Sequence, residues 1–221
     1  NVPTIWGQDP DDYIRKGLAV RDDFKHSERV ELIFGPHAPY TVSDEALSKI
    51  AVLAAELDIG IQIHAHETQK EVDDEVAQRG QRPLARLNEL GLLGPKTQLV
   101  HMSALTDDDI ELVKLSGARV IHCPHSNLKL ASGFSPVQKL RDEGITVALG
   151  TDGAASNNSL DMFAEMRTAS MLAKVVAKDA AALTSWQALE AATLNGAIAM
   201  GMEETIGTLE PGKQADIIAI D

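Results

Sequence analysis

Five short apolar runs punctuate the chain, at residues 30–35, 59–63, 97–100, 118–121 and 145–150. Each is nearly unbroken rather than alternating, the pattern of strands buried on both faces of a parallel sheet. Helical periodicities lie between them. Across residues 43–57, Leu47, Ile50, Ala51, Ala54 and Leu57 fall on one side, and Ser43 stands where an N-cap belongs. Residues 83–92 align Leu84, Leu87 and Leu90, and Thr106 with Asp109 has the spacing of a capping box that opens a helix over 107–115. A helix over 136–143 follows Ser135 and stops at Gly144, a C-cap. Repeated βα units predict a parallel α/β sheet, as a barrel or in open doubly wound form. After Asp152 the pattern changes to two helices, at 160–182 and 186–200. They are followed by a turn, Gly207-Thr-Leu-Glu-Pro-Gly-Lys213, and a strand at 215–220.

Composition narrows the class. The 221 residues carry 33 acidic against 20 basic side chains, a net charge of −13, which argues against a nucleic-acid partner because phosphate binding needs a basic surface. At 44% hydrophobic residues the chain can build one sizeable core. No apolar run approaches the ~20 residues that span a bilayer, so no membrane partner is expected. The single cysteine, Cys123, excludes an internal disulfide framework and suits a reducing cytoplasm.

The candidate chemistry sits just after the apolar runs. The first is followed by His37, the second by His64, His66 and Glu67, the third by His101, the fourth by His122 and His125, and the fifth by Asp152. In a parallel barrel the C-terminal strand ends open into one shared site, so residues distant in sequence converge. Imidazole nitrogen with carboxylate oxygen suits Zn2+ or a similar first-row divalent ion. Such an ion lowers the pKa of its water to ~7, one carboxylate can take that proton, and a second can protonate a leaving group. A lone strand-end histidine is more often a hydrogen-bonded structural residue; the shared location of six of the seven histidines favours function. Strand alternation would put His64 and His66 on one face as a metal pair, although only one need be a ligand. His122, His125 and Cys123 read as structural, Asp152 fits a turn or N-cap as well as a ligand, and the acidic run 71–75 reads as a solvated helix face.

At these residues the sequence resembles the amidohydrolase superfamily. The branch it resembles holds 5-methylthioadenosine/S-adenosylhomocysteine deaminases and triazine and ethylammeline hydrolases. The matching stretches are Gly35-Pro-His-Ala-Pro-Tyr-Thr41, His64-Ala-His-Glu-Thr68, Leu99-Val-His101, His122-Cys-Pro-His-Ser-Asn-Leu-Lys-Leu-Ala-Ser-Gly133, Gly150-Thr-Asp-Gly153 and Gly207-Thr-Leu-Glu-Pro-Gly-Lys-Gln-Ala-Asp216. They cover nearly the whole chain in the family's order.

The resemblance implies a (β/α)8 barrel, of which residues 1–204 supply strands four to eight, and a return into a small β-sandwich over 205–221. It implies one divalent ion, Zn2+ first and Fe2+ second. It makes His64 a metal ligand, and Asp152 a ligand that also activates water and contacts substrate. Glu67 becomes the acid that protonates the purine ring and binds substrate, His101 orients the water or intermediate, and His37 binds substrate; His66 stays unassigned. The implied reaction is hydrolytic deamination of an amino-purine nucleoside, with methylthioadenosine or S-adenosylhomocysteine as the first choice. A triazine or guanine deaminase is the rival within enzymes, and a metal-free barrel scaffold the rival outside them. An open phosphate-binding fold would need a Gly-rich loop after the first strand, and Gly35-Pro-His-Ala-Pro is no such loop.

One departure stands out. The family's His-x-His pair at the end of strand one is absent, and His64-Ala-His66 cannot replace it, because only three further strands fit before Asp152. Strands one to three are therefore expected ahead of Asn1. Five strands cannot close a barrel, so this segment alone is expected neither to hold metal tightly nor to turn over. The Ala-rich helix at 160–182 offers a face to a second copy in a homo-oligomer, although packing on the core is the commoner use of such a helix.

Overall fold

A computed structural model describes residues 3–220. The helices are α1 (Pro10–Phe24), α2 (Asp44–Leu57), α3 (Gln69–Arg79), α4 (Pro83–Glu89), α5 (Asp107–Ser116), α6 (Pro124–Lys129), α7 (Val137–Asp142), α8 (Ala154–Asn157), α9 (Met162–Ala177), α10 (Ser185–Ala192) and α11 (Leu194–Met200). Four strands, β1 (Ile61–Ala65), β2 (Thr97–His101), β3 (Arg119–His122) and β4 (Val147–Leu149), form one sheet in the order β1-β2-β3-β4. Every pairing is parallel, with Ile63 opposite Leu99, Leu99 opposite Val120, and Val120 opposite Val147. All five residues of β2 are buried, as the unbroken apolar runs require of a strand covered on both faces. Leu47, Leu84, Leu87, Val113 and Leu140 pack around the sheet and close the core.

The expected helices carry their expected ends. Ser43 accepts the Ala46 N–H, and Thr106 with Asp109 forms a reciprocal capping box. Gly117 and Gly144 leave their helices in the left-handed region, where glycine carries no Cβ penalty. The helix expected over 186–200 is two, broken at Thr193, whose backbone leaves helical geometry. Helix α1 was not expected. Ile14 is its one buried residue, so the apolar stripe is too thin to register as a period.

Three expectations are corrected. The run at 30–35 forms no full strand. Phe34 makes a single parallel bridge to Ile61, because Pro36 has no N–H to extend the ladder. No strand forms at 215–220 either; that segment is exposed and has no partner among the described residues. The acidic run on α3 is a solvated face only at Asp73 and Asp74. Glu75 is 4% exposed and pairs with the buried Arg86 at 3.0 Å, while Glu71 accepts the N–H groups of His66 and Glu67. Among the described residues no helix is long and apolar enough to cross a membrane.

Arg86 joins four segments. Its guanidinium donates to the Pro39 carbonyl (2.8 Å), the Val42 carbonyl (3.2 Å), Asp44 (2.7 Å) and Glu75. It thereby fixes the loop that follows His37. Replacing Arg86 by Met would leave the buried Glu75 carboxylate with only the half-exposed Arg79, at 3.3 Å, and would take the guanidinium from two carbonyls. We expect Arg86→Met to cost about 3–5 kcal/mol of stability in urea unfolding, the range for breaking a buried ion pair. A loss within experimental error would show that the pair carries no stability.

Candidate functional site

Parallel pairing puts every strand's C-terminal end at one edge of the sheet, and the polar residues singled out from the sequence collect there. His64 lies in β1 and His101 ends β2; Glu67 and Asp152 follow β1 and β4 by two and three residues. Several residues at these exits adopt left-handed backbone: His66 (φ 51°), His101 (φ 76°), Met102 (φ 51°) and Asp152 (φ 60°). For non-glycine residues this costs on the order of 1 kcal/mol each, and it persists only where surrounding contacts over-determine it.

His64 is held by one carbonyl. The His37 oxygen accepts both the His64 main-chain N–H (3.1 Å) and its ring Nδ1–H (2.6 Å). That bond fixes the tautomer and leaves Nε2 with a free lone pair, the arrangement of a metal-ligating histidine. The His64 ring stacks on His101, with centroids 5.3 Å apart and planes 23° apart, and lies 5.1 Å from the His37 ring. His101 donates Nδ1–H to Asn127 Oδ1 at 2.8 Å and turns Nε2 toward Glu67 Oε2 at 3.8 Å. Glu67 also accepts the Ser132 hydroxyl at 2.8 Å. His37 contacts the Thr41 hydroxyl at 3.0 Å and meets Tyr40 edge-on.

Asp152 is ordered by three donors. The Ser126 and Ser156 hydroxyls reach Oδ2 at 2.6 and 2.7 Å, and the Gly153 N–H reaches Oδ1 at 2.7 Å. Burial pushes this carboxyl up, but the hydrogen bonds outweigh burial and hold it below the ordinary aspartate value. Burial lowers both His101 and His37, against the raising effect of Glu67 on each, so both imidazoles are neutral at pH 7.

The structure thus brings His37, His64, Glu67 and His101 into one cluster. It joins Asp152 to that cluster through α6, where Ser126 holds Asp152 and the next residue, Asn127, holds His101. His66 stands apart. The turn at its own backbone swings its ring into the protein, where Nδ1–H donates to the Ala104 carbonyl (3.0 Å) and Nε2 accepts the Leu84 N–H (3.1 Å). With both nitrogens used, His66 is structural, and the metal pair suggested by strand alternation does not form. Ser126, Asn127, Ser132 and Ser156 were not singled out from the sequence. The first three lie in the His122–Gly133 stretch that carried the resemblance, but nothing in the order of residues tells which hydroxyl meets which carboxylate.

His64 nitrogen and an Asp152 oxygen are the donor types a zinc-like ion takes, yet such a site needs at least three protein ligands. No group of three or more His, Cys, Asp or Glu side chains among the described residues is arranged to hold a metal. The donor chemistry fits, and the set is incomplete. Beside the cluster opens a cleft of about 580 Å³, lined by Tyr40, Thr41, Glu67, Lys70, Glu71 and Arg79 among others. Its size is that of a small-molecule site. Of the five candidate residues only Glu67 lines it.

The fold and this strand-edge cluster define a class, and residues 8–221 match the amidohydrolase family. The chain belongs to that family, and its sheet is part of the family's barrel. It is 58% identical over its whole length to a 5-methylthioadenosine/S-adenosylhomocysteine deaminase of Saccharophagus degradans, covering 50% of that protein. It is 46% identical over 193 residues (87% of this chain and 44% of the relative) to a 5'-deoxyadenosine deaminase of Methanobrevibacter smithii. Among solved structures, an adenosine deaminase from Xanthomonas campestris with bound zinc superimposes with a TM-score of 0.95 at 50% identity, over 97% of this chain and 49% of that one. The chain therefore spans about half the length of the curated relatives it matches.

His122, at the end of β3, gives a pH signature. It is 2% exposed, and its Nδ1 has no hydrogen-bond partner among the described residues. Burial, and then His101, push its pKa down to about 3 from the ordinary 6.5. Because the folded value lies below the unfolded one, the stabilisation is complete above pH 6.5. It is lost as pH falls toward about 3, at up to about 1.4 kcal/mol per pH unit. We expect His122→Asn to remove that share of the slope between about pH 6.5 and pH 5 in urea unfolding of the intact protein. An identical slope in the variant would contradict a neutral buried imidazole.

Proposed function

We propose that the intact protein is a metal-dependent hydrolytic deaminase of an amino-purine nucleoside, converting methylthioadenosine or S-adenosylhomocysteine to the inosine analogue and ammonia. The observation that carries this reading is the Glu67–His101–His64 cluster. A carboxyl group stands 3.8 Å from one oriented imidazole, which stacks on a second imidazole whose Nε2 is free. The names and high identity of the relatives, and the zinc in the Xanthomonas campestris structure, support the same reading.

His64 Nε2 and Asp152 would hold the ion, Zn2+ in preference to Fe2+, with further ligands from the rest of the protein. When bound, the ion supplies a water acidic enough to act as a nucleophile near neutral pH. The chain's own residues do the remainder. Asp152, kept ionised by Ser126, Ser156 and Gly153, takes the proton of the attacking water. His101, with Nδ1–H committed to Asn127, presents Nε2 as an acceptor that orients the water. Glu67 hands a proton to the purine ring nitrogen as water adds to the carbon bearing the amino group; Asp152 then passes the water's proton to the amino nitrogen, the C–N bond breaks, ammonia leaves, and the hydroxyl proton of the adduct returns to Glu67. His37 and the cleft beside Glu67 bind the nucleoside. On the same reading the barrel spans residues 1–204 and the return toward a β-sandwich begins at 205, with the outermost residues 1, 2 and 221 lying outside the described structure.

Two measurements test this. Ammonia release with the adenine-to-hypoxanthine absorbance change should appear with methylthioadenosine, S-adenosylhomocysteine or 5'-deoxyadenosine. No turnover of any of these would remove the substrate assignment. Glu67→Gln should retain zinc yet lower kcat by about 10²–10⁴-fold, the usual weight of a general acid. His64→Ala should instead purify with well under one equivalent of zinc, and zinc at wild-type content in that variant would remove His64 from the ligand set.

A further inference from the structure

Glu165, in the first turn of α9, is wholly buried and forms no ion pair with Lys or Arg among the described residues. It lies outside the set that binds, orients or protonates in the reaction above. Its carboxylate accepts three hydrogen bonds: His125 ring Nδ1 (2.7 Å) and Asn157 Nδ2 (2.5 Å) at Oε1, and the His125 main-chain N–H (3.2 Å) at Oε2. A buried carboxylate is costly unless such donors surround it. Here they come from two separate elements, the start of α6 and the end of α8.

The neighbours of those donors matter most. His125 precedes Ser126, and Asn157 follows Ser156; Ser126 and Ser156 are the two hydroxyls on Asp152 Oδ2. Asn157 Nδ2 additionally donates to the carbonyl of Thr151 at 2.7 Å, one residue before Asp152. Asp152 itself sits at φ 60°, a conformation that an L-residue holds only when its surroundings enforce it. One buried carboxylate therefore grips both elements that grip Asp152, and through Asn157 it also grips the main chain leading into it. His125 adds a brace to α9, since its Nε2 lies 3.3 Å from the Thr168 hydroxyl.

We propose that Glu165 is a positioning residue for Asp152, acting through His125–Ser126 and Ser156–Asn157 to fix the carboxylate that would bind the metal. The inference rests on the reading of Asp152 as a ligand. Loss of an outer hydrogen-bonding partner of a metal ligand typically weakens metal binding 10–100-fold.

The test uses the intact zinc-loaded protein and measures zinc affinity by competition with a chelator. We expect Glu165→Gln to stay folded and to bind zinc about 10–100-fold more weakly, because the amide must present N–H to one of three donors. Asp109→Asn, which weakens another buried acid on α5, should lower stability without changing zinc affinity. In a protein already carrying Ser126→Ala and Ser156→Ala, Glu165→Gln should add less than its full loss, since the path through the hydroxyls is cut and only Asn157 on the Thr151 carbonyl remains. If Glu165→Gln does not fold, Asn157→Ala carries the same expectation. Wild-type zinc affinity in a folded Glu165→Gln or Asn157→Ala protein overturns the proposal. So does a loss that multiplies in full on the double-serine background, or an equal loss in Asp109→Asn. A wild-type protein that holds no zinc overturns the metal reading, and this inference with it.

Discussion

The carbonyl of His37 accepts two hydrogen bonds from one residue, the main-chain and the ring N–H of His64. The first bond is a sheet bond, prolonging toward the strand ends the alignment that begins at Phe34 and Ile61. The second is a side-chain bond that sets which nitrogen of His64 carries its proton. Fold and chemistry thus meet at a single oxygen: if the segment after Phe34 slipped, the alignment of β1 and the tautomer of His64 would be lost together. The loop carrying that oxygen is in turn tied to α4 through Arg86 on the carbonyls of Pro39 and Val42. A buried guanidinium some distance along the chain therefore bears on the direction of a histidine lone pair.

Charge is distributed with the same economy. The basic side chains nearest the inner core are committed to other acids: Arg86 to Asp44 and Glu75, Arg82 to Asp109. Among the described residues, neither Glu67 nor Asp152 has a Lys or Arg ion pair. Their partners are hydroxyls, an amide N–H and neutral imidazole. At Asp152 the neutral hydroxyl and main-chain N–H donors order the carboxylate without cancelling its charge. A guanidinium in the place of Ser126 would instead offset that charge.

How much of this was legible in the sequence depended on the range of the interaction. The four strands, the capping box at Thr106 and the N-cap at Ser43 are local signals, and all appear where the periodicity put them. The candidate residues fall at one edge because parallel pairing leaves no alternative once the strands are recognised. What failed was set by single contacts or dihedrals that periodicity does not encode. The acidic run on α3 has the composition of a solvated face, and only the arrival of Arg86, eleven residues after Glu75, draws that carboxylate inside. His66 shares a strand pattern with His64 until a left-handed turn at its own backbone reverses its ring. Residues 30–35 have the apolar content of a strand, yet Pro36 ends the ladder after one bridge. In each case a single contact or dihedral overrode a correct local reading.

The left-handed backbone at His101 and Asp152 closes the argument about which contacts matter. Both residues leave their strands in a conformation that the isolated chain disfavours, and both have their side chains caught by neighbouring residues of α6, Ser126 for Asp152 and Asn127 for His101. Helix α6 has only six residues, too few to be stable on its own. It is held at its start by the Glu165 carboxylate on His125. Order at the strand edge is therefore imported from α9, through a short helix that could not supply it alone. The rigidity of the strand-edge cluster is built one layer behind it, where buried hydrogen bonds are strongest and water does not compete.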